Sequence, residues 1–473
     1  MSKFMYRIWE RIRRKVIKFV RQNYKIIPMK IVIAGAGEVG NHLAKMLNGG
    51  GHNITVIDTD PKLLEDVDGM ADIVTIEGDC TTFATLKKSS VRKADLYIAV
   101  NHEENINILS AILAKQLGAR KAIARIDNNE YLEPNNKEMF LNLGIDYLFY
   151  PEKVAAREVI NLLGHTSTTE YVDFSGGKLS LVVFPLDATS EFTNKSVGEV
   201  RTMAGNSFRP VAISRADNTI IPHSRDRFHA GDTVYIITNN EAARTVMGYS
   251  GKTNVDIKNL MILGGSRIGQ RIATELQDEI NVKLIEYNPD KAYRLAERLD
   301  KTLIINEDGR DIDAMTEEGI SSMDAFVAVT GRSETNILTA MLAKRMGVKK
   351  VIAEVENLTY INLAENMGID TIINKKQITA SRIFRFTMDT DVQAIKCLTG
   401  SEAEVLEFIV KPDAPITRSI LRKVDFPPEA TIGGVVRGDT VFIPDGDFLV
   451  KAYDRTVVFS LPTAIAKIGK FFN

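Results

Sequence analysis

The chain has 473 residues, with 60 Lys and Arg against 61 Asp and Glu and 44% apolar residues. This is the composition of a globular protein with room for several cores, and it excludes a disordered, collagenous or uniformly polybasic chain. The near-neutral sum is uneven, because residues 1–28 carry nine basic side chains and one acid, Glu10, leaving the remainder net acidic.

In chain order, Met5, Ile8, Trp9, Ile12, Val16, Phe19 and Val20 follow helical spacing. Lys3, Arg7, Arg11, Arg14, Lys18, Arg21 and Lys25 recur on the opposite face. The pattern predicts a basic amphipathic helix over 1–28 that stops near Pro28. It suits an anionic lipid surface or a partner; a nucleic-acid-binding arm and an upstream extension with Met29 as the true start stay open as alternatives. Cys80 and Cys397 stand alone without metal-ligand spacing, so a reducing cytosol and no metal site are expected. No apolar run reaches the ~18 residues that span a bilayer.

From Lys30 onward, short apolar runs (Lys30–Ala34, Ile54–Ile57, Ile73–Ile76, Leu96–Val100, Ala122–Ile126) alternate with helical periodicity, as in Asn105–Gly118. That alternation predicts α/β architecture with a doubly wound parallel sheet. The first turn reads Gly35-Ala36-Gly37-Glu38-Val39-Gly40, and Asp58 ends the second run. A G-x-G-x-x-G turn between strand and helix, with an acid near the end of the next strand, is the dinucleotide-binding pattern. Gly37 lets the backbone approach a pyrophosphate, which faces the free N–H groups of the helix start. Asp58 would accept ribose hydroxyls and repel a 2′-phosphate, and Thr59 and Asp60 follow it where NADP binding would favour an Arg. NAD+ or NADH is therefore the expected ligand. Asn101 and His102 follow the fourth run at the crevice end, within reach of a nicotinamide-side ribose. Arg125 ends the fifth, suited either to an anion or to a local ion pair.

The text then returns. "NILSAILAKQLGARKAIA", starting at Asn107, reappears as "NILTAMLAKRMGVKKVIA" from Asn336, and Gly264-Gly265-Ser266-Arg267-Ile268-Gly269 stands where the first turn stood, with Glu286 in the acidic position. Ser266 replaces the middle glycine, so its side chain is expected to narrow the pyrophosphate approach. Thr330 and Gly331 replace Asn101 and His102, and Glu354 replaces Arg125. This charge reversal predicts halves that do not bind one anion equally. Short β-rich runs (Leu179–Leu186, Thr233–Thr238, Val405–Val410, Arg455–Leu461) close each copy, so each half is expected to be a Rossmann-like domain followed by a small α+β module. The expected division is 1–28, 29–150, a linker helix 151–168, 169–250, 257–374, a linker helix 375–390 and 391–473.

A reaction centre is not evident. The six histidines (His42, His52, His102, His165, His223, His229) all lie in the first half, outside any Ser/His/Asp or H-x-x-x-H arrangement, so no catalytic residue is assigned. A cofactor site written twice without such a centre fits sensing better than turnover. An NAD-dependent oxidoreductase with tandem dinucleotide domains is the alternative.

The start "MKIVIAGAGEVGNHLAKML" at Met29, "ITVIDTDPKLL", Glu77-Gly78-Asp79 and the segment from Asn107, all followed by a second copy and small modules, resemble the TrkA family of tandem RCK (KTN) proteins. The resemblance covers about residues 29–473. It implies two RCK N domains each followed by an RCK C module, in a cytoplasmic regulatory subunit, peripheral on the inner face of the membrane. It further implies a membrane potassium-translocating partner of the TrkH/TrkG type, a homo-oligomer (dimer or tetramer), and NAD(H)-dependent gating with ATP as a further possible ligand; nucleic acid is not an expected partner. Implied contacts are Gly35, Ala36, Gly37, Glu38, Val39, Asp58, Asn101, His102 and Arg125, then Gly264, Gly265, Ser266, Arg267, Ile268 and Glu286. The helices that link each Rossmann part to its tail, Val154–Leu163 and Ile378–Phe386, would carry the motion.

Overall fold

The computed structural model describes residues 29–49, 52–70, 72–204, 207–216, 218–251, 255–357, 360–384, 386, 392–397, 401 and 403–473. The basic helix expected over 1–28 lies outside them. No helix among the described residues is long and apolar enough to cross a membrane.

Two compact units emerge. One holds the described residues up to Pro151 with Ile383, Phe384 and Phe386; the other holds Glu152–Arg382 and the described residues from 392 onward. In the first, β1 (Lys30–Ala34), β2 (Asn53–Asp58), β3 (Ile73–Glu77), β4 (Leu96–Ala99), β5 (Lys121–Arg125) and β6 (Tyr147–Phe149) form a parallel sheet in the order β3-β2-β1-β4-β5-β6. The strands read as nearly continuous apolar runs because both faces of a parallel sheet are covered. On one face Val32, Ala34, Tyr97 and Ala99 meet Ala111 and Ala114 of the helix after β4. Strand order reverses between β1 and β4, and the crevice beyond their C-terminal ends is where such sheets hold ligands. Helix α1 (Glu38–Gly49) leaves β1 there, and α2 (Glu104–Leu117) leaves β4. Gly118 ends α2 in the left-handed region, with φ 115°.

The second unit opens with α3 (Pro151–Gly164), whose first residue is the last of the first unit. Strands β7 (Glu170–Phe174), β8 (Leu179–Pro185), β9 (Phe208–Arg215), β10 (Asn218–Ile220) and β11 (Thr233–Asn239) then pair antiparallel in the order β10-β9-β11-β8-β7. A second parallel sheet follows: β12 (Asn259–Leu263), β13 (Asn281–Ile285), β14 (Leu303–Ile305), β15 (Ala325–Ala328), β16 (Lys350–Glu354) and β17 (Thr371–Ile373). Its order, β14-β13-β12-β15-β16-β17, repeats the first, with α4 (Arg267–Leu276) after β12 and α5 (Ser333–Arg345) after β15. Helix α6 (Lys375–Phe384) precedes β18 (Val392–Cys397), β19 (Glu404–Ile409), β20 (Ala430–Arg437), β21 (Thr440–Phe442) and β22 (Arg455–Ser460). These pair as β18-β19-β22-β20-β21, the order of the earlier small sheet over again.

Within this unit β8 explains its own apolar run, which Ser180 alone interrupts before Pro185. Val182, Phe184 and the following Leu186 face a core shared with Val159 and Leu162 of α3 and with Leu260, Ile262, Ile268 and Ile272 of the second parallel domain. Leu179, Leu181 and Val183 face the other way, onto Val405, Val457 and Phe459 of the last sheet. Side chains alternate across a strand, so a strand between two cores is apolar on both faces, and its one buried hydroxyl, Ser180, accepts the Tyr171 hydroxyl at 2.9 Å. The two small sheets approach closely at Gly433 and Gly434, where a Cβ would stand 3.0 Å from Val211 and 2.7 Å from Leu179. Lys350, buried in β16, donates its ammonium to the Thr168 carbonyl at 2.6 Å, tying the second parallel sheet to the segment before β7.

Candidate functional site

The first crevice is built from the turn after β1. Gly35 has φ +107°, and a Cβ on it would meet the Asn101 amide nitrogen at 2.8 Å. Gly40 is tighter still: its Cβ would stand 1.8 Å from the Gly35 carbonyl oxygen, so only hydrogen lets α1 start against the turn. Gly37 differs, because nothing lies within 4 Å of the position its Cβ would take. The fold does not demand glycine there for its own packing, and the open space lies at a helix start whose dipole favours anions.

Asp58 is braced from both sides. Its Oδ2 accepts the Ala36 amide at 2.6 Å and its Oδ1 the Asp60 amide at 2.9 Å. These bonds fix the carboxylate at the end of β2 and leave each oxygen acceptor capacity for a hydroxyl. The residues present therefore fit an adenine dinucleotide. Asn101 is half-buried at the end of β4, and His102 beside it is exposed. Arg125 is mostly buried and lies 3.5 Å from Asp127, so the local ion pair is formed, with long geometry.

The second crevice repeats the turn with altered chemistry. Gly264 has φ +104°, and Glu286 accepts the Gly265 amide at 3.1 Å and the Asn288 amide at 3.0 Å, as Asp58 does in the first. Glu286 is buried and Lys291 pairs with its Oε2 at 2.7 Å, so its charge is already met. The expectation that Ser266 narrows the approach takes a more specific form: its hydroxyl caps α4 by accepting the Gly269 amide at 3.3 Å. A cap satisfies a helix-start donor that a phosphate would otherwise use. Arg267 and Ile268 begin α4. An open cleft of about 240 Å³ lies here, lined by Ser266, Glu286, Tyr287, Lys291, Arg310 and Arg332 among others. Glu354, the counterpart of Arg125, is buried and pairs with Lys375 at 2.9 Å. Burial pushes its carboxyl up despite that pair. Both members of the reversed position thus have local ionic partners.

Sequence reasoning missed two constellations. Asn107, buried in α2, accepts the Asn101 amide at 2.7 Å and donates to the carbonyls of Asn101 at 3.0 Å and Arg125 at 3.1 Å. Asn336 does the same in α5, accepting the Thr330 amide at 3.0 Å and donating to the carbonyls of Thr330 and Glu354. The available signal was the shared Asn-Ile-Leu at the head of the repeated segment. In the small modules, Arg215 clasps buried Asp232 at 2.7 Å and Arg437 clasps buried Asp454 at 2.7 Å. Each Asp also accepts a backbone amide, from His229 or Lys451.

Two Rossmann-type sheets with glycine turns and braced acids, each followed by a small α+β module, define a tandem RCK protein. The TrkA-N domain family matches residues 31–151 and again 260–375, and the TrkA-C domain family matches residues 181–251. The chain belongs to the TrkA family of Trk system potassium uptake proteins. Trk system potassium uptake protein TrkA homolog 1 of Methanosarcina mazei is 31% identical to it over 454 residues, 94% of this chain and 100% of that one. The crystal structure of the GsuK RCK domain superposes with a TM-score of 0.61 at 14% identity, covering 92% of this chain and 93% of that one. The GsuK channel bound to NAD gives 0.60 at 14% identity, covering 94% and 79%. At that identity the likeness is one of fold.

Proposed function

We propose that the chain is the nucleotide-sensing regulatory subunit of a Trk-type potassium uptake system. In this reading it is cytoplasmic and peripheral, set against a potassium-translocating subunit of the TrkH/TrkG type, and works as a dimer or tetramer. The observation that carries it is the first crevice, where of the three glycines of the turn only Gly37 has open space at its Cβ position, beside a carboxylate braced by two amides. Asp58 holds the adenosine ribose of NAD+ or NADH, the turn from Gly35 to Val39 admits the pyrophosphate, and Asn101, His102 and Arg125 line the nicotinamide side. The nucleotide, when bound, supplies charge and shape; the chain supplies recognition and the change of conformation. That GsuK, a channel of the same fold, has a structure bound to NAD supports the reading. The second crevice, Gly264 to Ile268 with Glu286, is the weaker site for a dinucleotide, because Ser266 and Lys291 already use part of what a ligand would meet; ATP is a further ligand to consider for the chain. Residues 29–150 and 257–374 serve as the nucleotide domains, 169–250 and 391–473 as the modules, and the linkers 151–168 and 375–390 as the segments that carry the change.

A ligand moves such an equilibrium only by its difference in affinity for two conformations. Binding is therefore the first quantity to measure. Calorimetric titration of NAD+, NADH and ATP into the full chain and into Asp58→Ala is expected to show dinucleotide affinity weakened about tenfold or more in the variant, the loss of one charge-assisted hydrogen-bonding group. Equal affinity in the two proteins would remove Asp58 from the site.

A further inference from the structure

The first crevice contains a relay of two carboxamides whose orientation the backbone dictates. Asn107 receives the Asn101 backbone N–H on Oδ1, so that atom must be the oxygen, and its Nδ2 points at two carbonyl oxygens, those of Asn101 and Arg125. Amide orientation is settled by such partners. Oδ1 of Asn107 also lies 3.2 Å from the Asn101 side-chain nitrogen, which is 3.2 Å from the Ala34 carbonyl and 3.5 Å from the Cys80 sulfur. The donor end of Asn101 is thus consumed inside the protein. Its Oδ1, to which no described residue donates, is what the half-buried side chain has left to offer a ligand. In the second crevice the corresponding hydroxyl of Thr330 gives its proton to Asn336 at 2.6 Å and accepts the Arg332 amide at 3.2 Å. There the hydroxyl keeps a single lone pair on a short side chain, where Asn101 keeps a whole carboxamide oxygen.

We infer that Asn107 is a positioning residue for dinucleotide recognition. It turns Asn101 so that a fixed acceptor meets a hydroxyl or amide donor on the nicotinamide-ribose half of the ligand, and it joins that contact to the end of β5 through the Arg125 carbonyl. The inference deepens the function proposed above and rests on the first crevice being the nucleotide site. It makes a distinction that a merely structural role would not. The adenosine half is held by Asp58, on β2, while the relay spans β4, α2 and β5, so disturbing the relay should cost the dinucleotide and spare the mononucleotide. Only in the first copy does the relay end in a carboxamide, whose oxygen receives no bond from the described residues.

The test is calorimetric titration of NADH and ADP into the full chain and into Asn107→Ala, Asn101→Ala and the double variant, counting as first-site binding the component that Asp58→Ala removes. Asn107→Ala is expected to weaken NADH by about five- to tenfold, the scale of one hydrogen bond to a fixed acceptor, and to leave ADP unchanged. The double variant should bind NADH no more weakly than Asn101→Ala alone, because the two act as one device. Asn336→Ala, which removes the matching anchor from the second sheet, should leave the first-site ratio of NADH to ADP affinity unaltered. Equal weakening of NADH and ADP, additive losses in the double variant, or unchanged NADH affinity would each overturn the inference. Should Asn107→Ala fail to fold, the nearly isosteric Asn107→Leu, which lacks both the acceptor and the donor, is read the same way; failure of both to fold would assign Asn107 to stability and also overturn it. Absence of any NADH component sensitive to Asp58→Ala in the wild type would instead reject the site itself.

Discussion

Asp58 and Glu286 show how one acidic position can be spent in two ways. Both are braced by the amide of the glycine turn and by an amide two residues onward, but Glu286 also holds Lys291. In the proposed reading the first carboxylate is kept for a ligand; the second is paired within the fold. The motif letters placed both acids, because the spacing of a βαβ unit fixes them. Lys291 was invisible because pairing depends on side-chain reach. The same limit hid Asp232, which as an isolated letter reads as a surface residue. Burial alone would raise its carboxyl, but hydrogen bonds from Arg215 and from the His229 amide outweigh that and hold it below the ordinary aspartate range. Its contribution to stability is therefore present above the unfolded pKa of about 4 and is lost as pH falls through the lower folded value. Hydrogen exchange of the β9 and β11 amides is expected to show Asp232→Asn less protected than wild type at neutral pH, by about 1–3 kcal/mol of local stability. The difference should close as pH falls through that lower folded value. A gap that persists into acid would mean the carboxylate charge is not what holds the module.

At the scale of elements, the two parallel sheets were largely legible. Apolar runs marked the strands, and the repeat of Asn107–Ala124 as Asn336–Ala353 marked α2 with β5 as the counterparts of α5 with β16. The small sheets were legible as strands but not in their packing, since period-two alternation disappears in β8 when both of its faces are covered. The glycine turn divides into structural and ligand-facing positions that a motif cannot separate. Gly40→Ala is expected to disrupt the start of α1 and destabilise the first sheet by about 3 kcal/mol or more, because its Cβ would overlap the Gly35 carbonyl. Gly37→Ala, placed in open space, should leave thermal stability within about 1 kcal/mol of wild type while weakening NADH binding. Melting curves and titrations on the two variants check the division. Equal loss of stability in both would show that Gly37 too serves the fold, and full NADH affinity in Gly37→Ala would place the pyrophosphate elsewhere.

At the scale of the molecule, the two copies of the repeat are packed in unlike ways. The second Rossmann-type sheet is built into one unit with both small modules, sharing a core with β8 and β11 and tied through Lys350 to the Thr168 carbonyl. The first sheet, with open space at Gly37 and the braced Asp58, forms a unit that closes its own core. This division could not be read from the repeat, which presents the halves as equivalent; it comes from which apolar faces find each other. It accords with a sensing role for the first half and a scaffolding role for the second. The most direct test of that account is potassium flux into proteoliposomes that hold the membrane potassium-translocating subunit, with this chain added at the outer face of vesicles oriented cytoplasmic side out. With wild type, flux should change on addition of NADH or NAD+, and with Asp58→Ala it should not. Flux indifferent to nucleotide with wild type, or an undiminished response with Asp58→Ala, would contradict it.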